Sequence, residues 1–129
     1  MKSVEDLLSY ISPSICLPGR QVFALSILRM RDLLLEDRSV DSIRIMKDVY
    51  GPVAEQTGKS RAAVSKAIDR AVEACWADGT NHKLGRVIGR MLPGKPFPKE
   101  FILYCAYYLA FGIPSHRGKS PVQSSESRT

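Results

Sequence analysis

A stretch near the middle of the chain combines basic, hydroxyl and small side chains at spacings that suit ion pairing and hydrogen bonding. Residues 52–77 read PVAEQTGKSRAAVSKAIDRAVEACWA. Gly58 can adopt the positive φ of a tight turn, and Ser60 can accept a hydrogen bond from the free amides that begin a helix. The stretch therefore predicts two helices joined by a short turn, as in a helix-turn-helix.

One face of the second predicted helix carries side chains that could bind DNA. Such a helix can enter the major groove, which is about 12 Å wide, with its N-terminal residues nearest the bases. The candidate DNA-binding residues are Lys59, Ser60, Arg61, Ala62, Ser65, Lys66, Asp69 and Arg70. Arg61 and Lys66 could reach guanine or phosphate groups. Asp69 could accept from a cytosine amino group, or it could pair with Lys66 or Arg70.

The opposite face of this helix is apolar and predicts a buried stripe. Its members are Val64, Ile68, Val72 and either Cys75 or Trp76. Helix hairpins with glycine turns also occur as plain structure, so the pattern alone leaves a structural interpretation open.

Helical periodicity continues along the rest of the chain, whereas alternating strand patterns are missing from it. Further helices are predicted at about 4–11, 18–36, 40–50, 81–91 and 99–111, and a short one from Pro52 to Gly58. In the helix at 40–50, Ser39 or Asp41 is the expected cap, and the expected inward side chains are Ile43, Met46, Val49 and Tyr50. The prediction is an all-α fold, a compact bundle of about six helices with a central helix-turn-helix. The domain spans residues 1–114, and 115–129 are expected to be a disordered tail.

Charge and length narrow the function classes. The chain has 129 residues and a net charge of +6, of which +4 falls in residues 43–90. One domain is expected at this length, and no apolar run reaches the roughly 18–20 residues of a membrane span. A signal-peptide apolar core is also missing after Met1, so we expect a cytoplasmic protein. The positive charge of residues 43–90 indicates a polyanion partner.

The side chains of enzymes and metal sites do not cluster in the sequence. Cys16, Cys75 and Cys105 form no Cys-x-x-Cys pair, and His82 and His116 are isolated from them. Buried apolar roles in a reducing compartment are expected for the cysteines. We therefore expect no enzyme activity, cofactor, metal site or small-molecule substrate. The aromatic residues of 99–111 predict core packing, with a dimer interface or partner groove as the alternative.

Several motifs carry a family resemblance. They run from Asp41-Ser42-Ile43 to Tyr50 and Val53-Ala54, through Ala67-Ile68-x-x-Ala71-Val72-Glu73-x-x-Trp76, to Lys95-Pro96 and Glu100-Phe101-Ile102. Together they resemble the DNA-binding effector domain of the sporulation master response regulator, stage zero sporulation protein A. The resemblance covers most of residues 4–103 and implies an all-helical, DNA-binding domain. Double-stranded DNA is the implied partner, bound by a homodimer or by a tandem pair of domains.

Two departures from that family change the expectation. The family's phosphoacceptor receiver domain has no counterpart in the sequence. Ser65 and Lys66 stand where the family has Glu and Arg, and Ala63 and Asp69 stand at two of its arginines. We therefore expect a different DNA sequence preference, or weak and nonspecific binding. The alternative is a protein-interaction module that keeps the fold and modulates another transcription regulator.

Overall fold

The computed structural model describes residues 4–11, 19–77, 86 and 94–112. These residues contain helices and turns and no β-strand, which confirms the all-α prediction for this part of the chain. The described residues form the α-helices α1 (Val4–Ile11), α2 (Gly19–Leu35), α3 (Gly51–Thr57), α4 (Arg61–Ala77) and α5 (Pro98–Phe111). Apart from Arg86, the helix predicted at 81–91 lies outside the described residues, and so does the tail at 115–129.

Helix α2 is the centre of the core and contacts α1, α3, α4 and α5. Its wide apolar stripe includes Phe23, Ile27 and Met30, each fully buried. Phe23 meets Phe101 of α5 edge-on, with ring centroids 5.4 Å apart. Such an arrangement suits the aromatic quadrupoles and adds to the burial of both rings. None of the described helices combines the length and apolar character that crossing a bilayer requires.

The chain between α2 and α3 differs from the single helix predicted at 40–50. Val40–Ser42 forms a 3-10 turn, and residues 43 and 44 are extended. A π-helical turn, Ile45–Tyr50, then runs directly into α3 without the expected break at Gly51. Ser39 makes no side-chain cap hydrogen bond, so the predicted Ser39 cap was wrong. The predicted inward side chains other than Met46 are buried, whereas Met46 is 42% exposed.

Pro52 explains why this segment departs from α-helical geometry. It has no N–H and so cannot donate to the carbonyl of Asp48, four residues earlier. Arg29 of α2 replaces that donor, because its Nε lies 3.0 Å from the Asp48 carbonyl oxygen. The Gly51 amide bonds to Met46, five residues back, which is the π pattern. Arg29, from a different helix, thus gives the Asp48 carbonyl the hydrogen bond that residue 52 cannot.

The carboxylate of Asp48 fixes the start of the same turn. Its Oδ2 accepts from the Arg44 amide at 2.8 Å and from Arg38 Nη2 at 3.1 Å. Arg38 also donates to the Ser42 carbonyl, at 2.8 Å. The Arg44 hydrogen bond lowers the pKa of Asp48 below its ordinary value, and Arg38 adds to this effect while partial desolvation opposes it. Folding therefore favours the charged form of the Asp48 carboxylate.

Candidate nucleic-acid interface

A tight turn at residues 58–60 sets the angle between α3 and α4. Gly58 has a φ of 74°, and the amides of Gly58 and Lys59 both donate to the carbonyl of Ala54. This left-handed glycine ending closes the last turn of α3 on the Ala54 carbonyl. The hydroxyl of Ser60 accepts from the Ala63 amide at 3.1 Å and so caps α4. The glycine turn and the serine cap predicted from the sequence are both confirmed.

The buried face of α4 anchors the helix to the core. Val64, Ile68, Val72 and Cys75 are all buried. Trp76 is partly buried and packs against the same core cluster, so Cys75 is the residue that completes the stripe. Because one face is fixed in this way, the direction of the opposite face is fixed as well.

That opposite face presents the predicted DNA-binding residues to solvent. The exposed members are Lys59, Ser60, Arg61, Ala62, Lys66, Asp69 and Arg70, and Ser65 is half-buried. At about 100° per residue, Lys66 lies near the middle of the exposed surface of α4. Arg61, Ser65 and Asp69 form its edge. The structure therefore places all eight residues at least partly in solvent, along α4 and the turn before it.

The charge of this face is positive and uncompensated in the part of the chain that is described. Residues 59–70 contain four basic residues and one acidic residue. Lys59, Lys66 and Arg70 form no ion pair with any described carboxylate. Asp69 likewise pairs with neither Lys66 nor Arg70, so the ion-pair role predicted for it as an alternative is not seen. The positive charge is available to an anionic partner.

The edge of α4 borders the junction between the π-helical turn and α3. A Cβ on Gly51 would lie 3.2 Å from both Nε and Nη2 of Arg61, so the guanidinium rests against the backbone there. Further along the edge, the charge of Asp69 interacts with the Tyr50 hydroxyl. Burial raises the pKa of the Tyr50 hydroxyl, and the negative charge of Asp69 raises it further. Arg61 and Asp69 thus each face the 45–57 segment, whereas Lys66 faces away from it.

A groove beside the candidate interface was not anticipated from the sequence. It has a volume of about 350 Å³ and is lined by the second half of α4 and by residues 95–98. Glu73 and Lys95 form an ion pair across it, and Phe97 is 78% exposed at its rim. The spacing of Lys66 and Glu73, seven residues apart, could have placed Glu73 on the same face of α4.

The remaining predicted residues have structural roles where they are described. Cys75 and Cys105 are buried, and burial raises the pKa of the Cys105 thiol, with a further contribution from Cys75. Within the described ranges, no three His, Cys, Asp or Glu residues come close enough to hold a metal ion. Of the α5 aromatics, Phe101 is buried, Tyr104, Tyr107 and Tyr108 are partly buried, and Phe111 is 47% exposed. Core packing therefore accounts for most of that set.

Comparison of the chain with family models, with curated proteins and with solved structures gave no match. The resemblance to the sporulation effector domain thus stays a prediction from its motifs. The geometry and charge of α4 are the basis for proposing a function.

Proposed function

We propose that this chain is a sequence-specific, DNA-binding transcriptional regulator that acts in the cytoplasm. In this proposal the fold is a compact bundle of about six helices, in which α3, the turn at Gly58 and α4 form a central helix-turn-helix. Helix α4 enters the major groove of duplex DNA as the recognition helix. One observation carries the proposal: basic side chains without described partners lie on the exposed face of a capped helix whose other face is buried.

The physical basis of binding is phosphate neutralisation. Duplex DNA carries one negative charge per roughly 1.7 Å of its axis, and cations that pair with phosphates release condensed counterions. Lys59 and Arg61 lie at the start of α4, and Lys66 and Arg70 lie one to three turns further on. This distribution allows phosphate contacts at the N-terminal end of α4 and further along the helix.

Base recognition on this face depends on few side chains. Lys66 can donate to guanine O6 and N7, and the exposed carboxylate of Asp69 can accept from a cytosine amino group. Ala62 leaves room for the helix to approach a base edge closely. Because Asp69 would repel phosphates, it favours a docking in which this carboxylate meets bases.

The groove beside α4 favours a second candidate, a protein-interaction module that modulates another transcription regulator. Phe97 is exposed there next to the Glu73–Lys95 ion pair. Exposed aromatic side chains at a groove are typical of protein contacts. This candidate predicts a folded chain that fails to bind duplex DNA even at low salt.

Selection from a random duplex library with the full chain tests the proposal. We expect wild type to enrich a short motif at low ionic strength and Lys66→Glu to lose that enrichment. Arg31→Glu is the matched control, because it changes the net charge equally at a residue of α2 whose described ion pair is with its neighbour Asp32. Recovery of an unenriched library by folded wild-type protein would contradict sequence-specific binding.

A further inference from the structure

The guanidinium of Arg61 is held at the edge of α4, against another helical segment. Its Nε, Nη2 and Cζ atoms are the three atoms nearest to the position that a Gly51 Cβ would occupy, at 3.2, 3.2 and 3.4 Å. Arg61 is nevertheless exposed. The side chain therefore covers the backbone of residue 51 with one edge and still reaches solvent.

The backbone conformation at position 51 does not require a glycine. Its φ and ψ are both −57°, which any residue adopts, and glycine weakens a helix relative to alanine. A Cβ there would meet Arg61 at a distance shorter than ordinary van der Waals contact. The absence of a side chain at residue 51 thus provides the space in which the guanidinium lies.

The donors of Arg61 are unused within the described chain. Its guanidinium forms neither an ion pair nor a hydrogen bond with the described residues, whereas Arg20, Arg29, Arg31 and Arg38 all do. The planar fork of guanidinium N–H groups matches the oxygens of a phosphate better than the ammonium group of a lysine does. When α4 lies in the major groove, the edge of the helix faces the groove wall, where the phosphates are.

We propose that Arg61 binds a phosphate of the DNA backbone, and that Gly51 holds its guanidinium in position by leaving the space beneath it open. This proposal rests on the proposed function and deepens it. It assigns Arg61 to phosphate binding and leaves base recognition to the middle of the α4 face. Arg61 is then a binding residue, and Gly51 is a positioning residue that acts through it.

A double-mutant cycle on duplex binding tests this assignment. Wild type, Arg61→Ala, Gly51→Ala and the double variant are titrated with several duplex sequences between about 50 and 200 mM salt. Arg61→Ala should weaken binding about equally for all sequences and reduce the slope of log K against log salt by about one unit. Gly51→Ala keeps the net charge and should cost about two- to fivefold in wild type. It should cost nothing further once Arg61 is alanine, since the residue it positions is gone.

Each other outcome has a distinct meaning. Wild-type protein that binds DNA, together with an unchanged salt slope in Arg61→Ala, would overturn the phosphate assignment alone. A loss confined to duplexes that differ at one base pair would assign Arg61 to base reading. Equal losses from Gly51→Ala in both backgrounds would overturn the positioning role of Gly51. Failure of wild type to bind any duplex at low salt would contradict the proposed function and this assignment together. Arg31→Ala, which removes the same charge from α2, should leave the salt slope unchanged.

Discussion

Basic side chains serve two different purposes in two regions of this molecule. Around α2 and the turn that follows it, Arg29 and Arg38 donate to the backbone and carboxylate of Asp48 and hold the π-helical turn in place. On α4, Lys66 and Arg70 are exposed and have no ion pair with a described residue. The difference shows that the partner of a basic residue, rather than the net charge of the chain, separates structural cations from those available to a ligand.

This contrast makes the two regions experimentally separable. Substitutions at the Asp48 cluster should lower stability and leave the DNA affinity of the folded protein unchanged. Substitutions on the exposed face of α4 should do the reverse.

The largest effect is expected from reversing two charges on α4. Lys66→Glu with Arg70→Glu should reduce duplex affinity by about 100-fold or more at low salt, because two cations become anions that repel phosphates. The unfolding free energy should change by less than about 1 kcal/mol, since exposed substitutions usually have small effects. Fluorescence anisotropy with labelled duplex and urea unfolding measure the two quantities.

A charge-matched variant sharpens this test. Arg31→Glu with Lys47→Glu changes the net charge equally at exposed or partly exposed positions outside α4. It should lose far less affinity. An equal loss in both double variants would show that total charge, and not the α4 face, controls binding.

The next effect is on stability, at Arg29. Arg29→Ala should lower the unfolding free energy by about 1–3 kcal/mol, because it leaves the Asp48 carbonyl without the donor that Pro52 cannot provide. Urea unfolding measures the loss. In a Pro52→Ala background the same substitution should cost less, since residue 52 then has an amide to donate. A loss that is independent of residue 52 would contradict this explanation of the π-helical turn.

A smaller loss is expected at the turn between the two helices. Gly58→Ala should destabilise the protein by about 1 kcal/mol, because an L side chain is strained at a φ of 74°. Gly58→Asn should cost less, since asparagine tolerates this conformation. Thermal unfolding of the two variants checks the order. Equal stability of wild type and Gly58→Ala would argue against the left-handed turn.

The smallest effect is a pH dependence at Asp48. Its pKa is lower in the folded chain, so its contribution to stability is complete above the unfolded pKa and is lost as the pH falls through the folded value. Stability should therefore decline on acidification, and Asp48→Asn should decline less steeply because it has no proton to gain. Urea unfolding at a series of acidic pH values compares the two slopes. Parallel slopes would show that Asp48 is not part of the acid response.

The elements with local signals were predictable from the sequence. Gly58 forms the predicted turn, Ser60 caps α4, and the apolar stripe of α4 is buried. Each of these roles depends on residues that are near in sequence. The segment at 40–57 was not predictable in the same way. Pro52 does lie in the first turn of α3, as predicted. The π-helical turn before it and the hydrogen bond from Arg29, which is distant in sequence, have no local signal.

The candidate site shows the same limit. The exposed face of α4 was predictable from helical periodicity. The contact of the Arg61 guanidinium with Gly51 depends on how α4 packs against the start of α3. The groove with Phe97 also brings together residues from α4 and from the start of α5. Contacts between elements therefore decide which of the predicted residues are free and which are held.

The salt dependence of duplex binding by the wild-type chain tests the central claim most directly. If Lys59, Arg61 and Arg70 pair with phosphates while Lys66 meets bases, log K should fall linearly with log salt, with a slope of about −3. A slope near zero, or no binding at low salt by folded protein, would contradict the claim that the exposed face of α4 binds DNA.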